Sequence, residues 1–166
     1  MYHSIAEFIT DWKNESQATQ KILDALSNES LNQKVTDVHR TLGRIAWHIV
    51  QTIGEMPGHA GLKVEGSNVS GEIPQEASFI AATYKLLSEK LVDAVQTQWT
   101  DDMLPGLVNM YGDEWSRASV LDICIKHEIH HRAQLTILMR QAGLRVPGVY
   151  GPSYDEWADM GMQAHK

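Results

Sequence analysis

Residues 116–143 read SRASVLDICIKHEIHHRAQLTILMRQAG. Val120, Cys124, His127, His131, Leu135, Leu138 and Ala142 recur at spacings of three and four. That spacing places them on one face of a helix, and an apolar face of this kind is a buried one. Ser116 opens the stretch as a cap, and Gly143 is a good stop. The spacing predicts a long helix from about Ser116 to Ala142.

Two histidines interrupt the apolar stripe. His127 and His131 are four residues apart, so their imidazoles share a face one turn apart. A polar group on the core side of a helix is costly without a partner. Hydrogen bonds to other side chains would satisfy one such histidine. A pair is satisfied together by a metal ion, and metal binding is the expectation here. His130 points about 60° away from His127 and is expected to lie outside the ligand set.

The remaining chain supplies three more long helices. Ser4 and Glu7 form a capping box, followed by Ile5, Phe8, Ile9, Trp12, Ser16, Thr19, Leu23 and Leu26 at helical spacing, which predicts a helix to about Ser27. A polar connection is expected over 28–37. A second helix is expected from near Val38 or Thr41 to about Met56, with Leu42, Ile45, Ile49 and Ile53 inward and Pro57 as its end. Residues 57–74 carry Pro, Gly, Ser and Asn without periodicity and read as a long loop. The third helix is expected from near Pro74 to Gln98. Another connection spans 101–116, the 146–153 tail is extended, and a short helix near Tyr154–Met160 closes the chain. The fold class is therefore all-α: a four-helix bundle, residues 1–166 as one domain, with a long loop between helices 2 and 3 and a short C-terminal tail helix. Bundles hold metals between facing helices. His48 lies on the inward face of the second helix and is the expected third ligand.

Composition narrows the function classes. The chain has 166 residues with a net charge of −7 and no basic stripe, which argues against nucleic-acid binding. No apolar run reaches the length of a membrane span. The single cysteine, Cys124, excludes an internal disulfide framework, and with no signal-like start a cytoplasmic location is expected.

His127-Glu128-Ile129-His130-His131 also matches H-E-x-x-H, in which two histidines bind zinc and the glutamate is the general base of a protease. Gln134 and Ile137 stand where the longer form has Gly and a third His. A protease would need a carboxylate such as Asp155, Glu156 or Asp159 as third ligand.

Gly43-Arg-Ile-Ala-Trp-His48-Ile49, the His127-Glu-Ile-His-His-Arg-Ala-Gln134 block and the ending Arg145-Val-Pro-Gly-Val-Tyr-Gly-Pro-Ser153 together resemble the DinB family of bacterial proteins. The family takes its name from DNA-damage-inducible genes. The resemblance implies a four-helix bundle with a divalent metal on three histidines, which here are His48, His127 and His131. It implies a homodimer, an expectation the five tryptophans also favour. It further implies a metal-dependent transferase acting on a small-molecule electrophile with a low-molecular-weight thiol such as bacillithiol. All-nitrogen ligation suits zinc or nickel. A non-catalytic metal-binding bundle of the stress response needs the same histidines and stays open. No catalytic or cofactor-holding residue is assigned. Trp47, Arg132 and Tyr150 are candidates for the rim. Each has an alternative: Trp47 as a packing residue, Arg132 facing solvent or a partner subunit. Glu128 is a candidate acceptor for a histidine N–H. Cys124 reads either as a small buried hydrophobe or as a group approaching the metal.

Overall fold

The computed structural model describes residues 1–164. Four long helices account for most of it: α1 Ile5–Asp24, α2 Leu42–His59, α3 Ala77–Gln98 and α4 Arg117–Gln141. A short α5, Tyr154–Asp159, follows the tail. The four-helix bundle expected from periodicity is present. Among the described residues no helix is long and apolar enough to cross a membrane.

The caps form as the sequence dictates. Ser4 accepts from Glu7 N while the Glu7 carboxylate reaches back to Ser4 N. Ser116 Oγ accepts from Ser119 N at 3.1 Å. At α3 the cap is borrowed. Glu76 makes no capping bond, and Asn28 Oδ1 accepts from Ala77 N at 2.8 Å. That long-range cap sets the helix start three residues beyond Pro74.

Three expectations need correction. Pro57 does not end α2, which runs on to His59. Proline sits in the last turn, and its carbonyl accepts from Ala60 N and Leu62 N. The 28–37 connection contains a 3₁₀ turn, Glu29–Asn32, that buries Leu31. The 101–116 connection contains a two-stranded antiparallel hairpin. Strand β1, Leu107–Met110, pairs with β2, Asp113–Ser116, in the register Leu107↔Ser116 and Met110↔Asp113. Tyr111 and Gly112 turn the corner at φ 55° and 102°, the two positive values a tight two-residue hairpin turn demands.

The helices form a ring in which α1 touches α3 and α4, and α2 touches α3 and α4. One continuous core fills it, with Phe8, Trp12, Trp47 and Tyr84 among its fully buried side chains. The 60–76 loop lies against α2. Trp47 Nε1 donates to Ser70 O at 2.8 Å, and a Cβ at Gly54 would collide with Ser67. Three of the five tryptophans, Trp12, Trp47 and Trp99, are buried, and Trp115 and Trp157 are partly so. They are part of the packing and do not form one open face.

Candidate metal centre

Helix α4 buries a wider face than its apolar stripe predicts. Leu121, Ile125, Glu128, Arg132 and Met139 go inside together with Val120, Cys124, His131, Leu135 and Leu138. The axis of burial is thereby turned, so that His131 is 9% exposed while His127 sits at the rim, partly exposed. Helix α2 packs alongside and presents His48, also partly exposed.

The three imidazoles meet. His48 Nε2 lies 3.2 Å from His127 Nε2, and His131 Nε2 lies 3.1 Å from the same atom. One ligand atom from each of the three residues falls within 4.8 Å of the others. A tetrahedral ion with bonds of about 2.0–2.1 Å to nitrogen spaces its ligand atoms about 3.3 Å apart. The observed spacing fits such an ion.

The tautomer fits as well. Gln134 Oε1 lies 2.7 Å from His131 Nδ1. An amide oxygen only accepts, so Nδ1 carries the proton and Nε2 keeps its lone pair for the centre. Gln134 Nε2 donates in turn to His130 Nε2 at 3.1 Å. His130 is exposed and outside the group of three, where its direction on the helix had placed it.

Burial lowers the proton affinity of all three ligand candidates. His48 is pushed down to about 4 by burial first, then by His131, His127, Arg40 and Arg44. His127 is pushed down to about 4 by burial first, then by His131, with Glu55 opposing. His131 is lowered by burial, against the Gln134 bond. At neutral pH all three are neutral and free to bind a cation.

A linkage follows for the metal-free protein. Histidines in the unfolded chain take up protons near pH 6.5, while His48 and His127 in the folded chain resist until about 4. The unfolded state therefore binds more protons across that window, and stability falls as pH drops from about 6.5 to 4. Above 6.5 both states are neutral and the effect vanishes. Melting of the apoprotein at pH 7.5 and 5 is expected to show the drop, muted because the centre is partly exposed. A His127→Asn variant is expected to flatten it.

The alternative ligands are engaged elsewhere. Asp155 Oδ2 accepts from Val146 N, both Glu156 oxygens bind backbone N–H groups of Gly148 and Ser153, and Asp159 pairs with Arg145. Glu128, the base of the protease reading, faces away from the histidines. It is 3% exposed, and its Oε1 accepts from Thr19 Oγ1 at 2.7 Å and Tyr84 OH at 2.8 Å. Burial raises its carboxyl to about 7 against those bonds. It is not an acceptor for a histidine N–H. Cys124 is buried outside the ligand group, and burial pushes its thiol far up, so it is the small hydrophobe of the two readings.

Arg132 corrects the sequence more sharply. It is 2% exposed and faces neither solvent nor a second subunit. Its Nη2 donates to Glu15 Oε2 at 2.6 Å and Tyr150 OH at 2.7 Å, and its Nη1 to Glu15 O and Thr19 Oγ1. Tyr150 stacks against the guanidinium, 5.3 Å from ring centre to Cζ. With Glu128 and Tyr84 this network, buried at Arg132, Thr19, Glu128 and Tyr84 and open at Tyr150, ties α1, α3, α4 and the tail together.

Comparison with protein families matches residues 1–165 to the DinB family. The chain belongs to the DinB family. It is 43% identical over 166 residues to the uncharacterized protein YrdA of Bacillus subtilis (strain 168), covering all of this chain and 99% of that protein. Among solved structures, a DinB-like protein from Bacillus cereus ATCC 10987 superimposes with a TM-score of 0.86 at 43% identity, over 90% of this chain and 100% of that one. The DinB-like protein YjoA from Bacillus subtilis gives 0.68 at 18% identity, over 86% and 97%, and shares the fold.

The family bundle and the converging imidazoles agree that this histidine group can hold a metal ion. Gln134 then has a testable role. Gln134→Leu removes no ligand but frees the His131 tautomer, and is expected to weaken metal binding by about 10–100-fold. Competition with a chelating dye measures it. Unchanged affinity would mean that another group orients His131.

Proposed function

We propose that this DinB protein binds a divalent ion, zinc or nickel, on His48, His127 and His131 and joins a small thiol to a small electrophile. The observation that carries the reading is the convergence of three neutral imidazoles at a partly exposed rim, one of them fixed in the metal-ready tautomer by Gln134. Three ligands leave room for an exchangeable fourth, as catalytic sites do and closed structural sites do not. A divalent ion supplies Lewis acidity that makes a nearby thiol acidic at neutral pH.

The side chains of the centre assign themselves to holding and orienting. The inert Cys124 and the inward-turned Glu128 leave the added thiol as the nucleophile. Its S–H proton leaves to water at the exposed rim. Its sulfur forms a bond to the electrophilic carbon while the leaving group departs with its electron pair.

The test is conjugation of 1-chloro-2,4-dinitrobenzene with bacillithiol or cysteine, with and without Zn²⁺ or Ni²⁺. Rates are expected to rise with metal and to collapse in His48→Ala. Equal rates after chelation would overturn the mechanism. No conjugation with any thiol would leave the non-catalytic metal-binding bundle as the better reading.

A further inference from the structure

Helix α2 has a second neighbour beside the histidine face, the 60–76 loop. Gln51, Gly54 and Glu55 of the helix and Ser67, Asn68 and Val69 of the loop enclose a cleft of about 350 Å³. That is within the size range of small-ligand sites. Its helix wall continues the His48 face. Gln51 follows His48 by three residues and Glu55 by seven, so both stand on the same side of the helix. Glu55 lies two turns on, about 10 Å along the axis. Three roomier hollows, of about 570, 680 and 390 Å³, take no residue from α2.

The walls of the cleft are pinned. Ser70 O accepts from Trp47 Nε1 at 2.8 Å and from Gln51 Nε2 at 3.0 Å, and Ser67 Oγ donates to Val64 O at 2.8 Å. Glu55 is the one charged side chain in the lining. Its Oε1 accepts from Tyr111 OH at the hairpin corner, at 2.6 Å, and lies 3.4 Å from His59 Nε2. A donor from another element thus fixes the carboxylate at one oxygen. Oε2 accepts no hydrogen bond among the described residues, and the side chain is 47% exposed. Arg44, on the same helix face, is held at Gln51 Oε1, eleven residues back and about 16 Å along the axis.

We propose that this cleft seats the far end of an amine-bearing thiol, its ammonium on Glu55 and its sulfur at the histidines. This rests on the metal-and-thiol reading above and narrows its substrate class. A cation beside a carboxylate makes a charge-assisted hydrogen bond, and Oε2 is the oxygen left to accept it. Two helical turns separate the two ends, so the ligand is an extended one.

The experiment uses Co²⁺-loaded protein and two thiols of equal length and opposite charge, 6-aminohexanethiol and 6-mercaptohexanoate. Thiolate-to-cobalt charge-transfer absorption reports binding without turnover. Wild type is expected to prefer the amine by about tenfold, as one half-exposed charge contact allows. The short pair, 2-aminoethanethiol and 3-mercaptopropionate, cannot bridge the two turns and is expected to show no such preference. Glu55→Gln keeps an acceptor for Tyr111 and is expected to lose the preference, while Co²⁺ affinity and melting temperature stay near wild type because Glu55 is outside the histidine group. Tyr111→Phe loosens the carboxylate and is expected to keep part of it. No preference in wild type, a preference that survives Glu55→Gln, or an equal preference in the short pair overturns the proposal and leaves the metal reading standing. Failure of wild type to take up Co²⁺ overturns both.

Discussion

His127→Ala is expected to lower divalent-metal affinity by at least about 1000-fold and to erase the thermal stabilisation that metal confers. His127 is the shared vertex of the three histidines, since its Nε2 lies within 3.2 Å of both partners. Without it only His48 on α2 and His131 on α4 remain to hold the ion. Wild type at a metal concentration 1000 times its Kd gains about 4 kcal/mol. For a domain of this size that is a rise of roughly 8–16 °C. The variant is expected to show none of it. In the absence of metal the two proteins are expected to melt close together above pH 6.5, because the removed imidazole is neutral there and its polar and ring contacts are with His48 and His131. His130→Ala is the control. Its ring touches His131 and Gln134 from the exposed side, so an effect of a few-fold is expected. Calorimetric titration with Zn²⁺ decides the matter, and equal losses in the two variants would remove His127 from its assigned place.

The parts of this site that were legible in the sequence share one property: their geometry is local. His127 and His131 announce a shared direction because four residues make one turn. The Ser4 and Ser116 caps and the Gly143 stop act over three residues and fall where expected. His48 needed only the assumption that two apolar faces pack on each other. What the sequence concealed depends on partners far along the chain. Glu128 and Arg132 are an acid and a base four residues apart on a helix, a pattern that ordinarily marks a solvated face. They are buried because Thr19 arrives from 109 positions away and Glu15 from 117. No window of local sequence carries that information. The hairpin was hidden for a different reason. Its strands are four residues each, and its corner is Tyr111-Gly112 where Asn-Gly would have been the clear signal. The end of α2 was misplaced because proline was read as a stop, whereas the helix carries it inside its last turn and runs on to His59.

Arg132→Ala is expected to be the most destabilising single change in the polar interior, at about 3 kcal/mol or more. The Arg132 side chain is 3% exposed and that of Glu15 is 16%. Deleting one member of a buried pair strands the other charge away from water, which costs about 3–5 kcal/mol. The partly open Glu15 keeps the figure toward the lower end. Four groups lose a donor at once: the Glu15 carboxylate, the Glu15 carbonyl, the Tyr150 hydroxyl and the Thr19 hydroxyl. The Glu128 carboxyl, already raised to about 7 by burial, also loses a positive neighbour that had held it down. It is therefore expected to hold its proton to still higher pH. Arg132→Met retains most of the packing and is expected to recover part of the loss, and Arg132→Met with Glu15→Leu more of it, because no charge is then left unpaired. Urea unfolding at pH 7.5 gives these differences directly. A loss below about 1 kcal/mol for Arg132→Ala is the value expected of a surface arginine. It would mean that the clamp is open in solution and that Arg132 faces water after all.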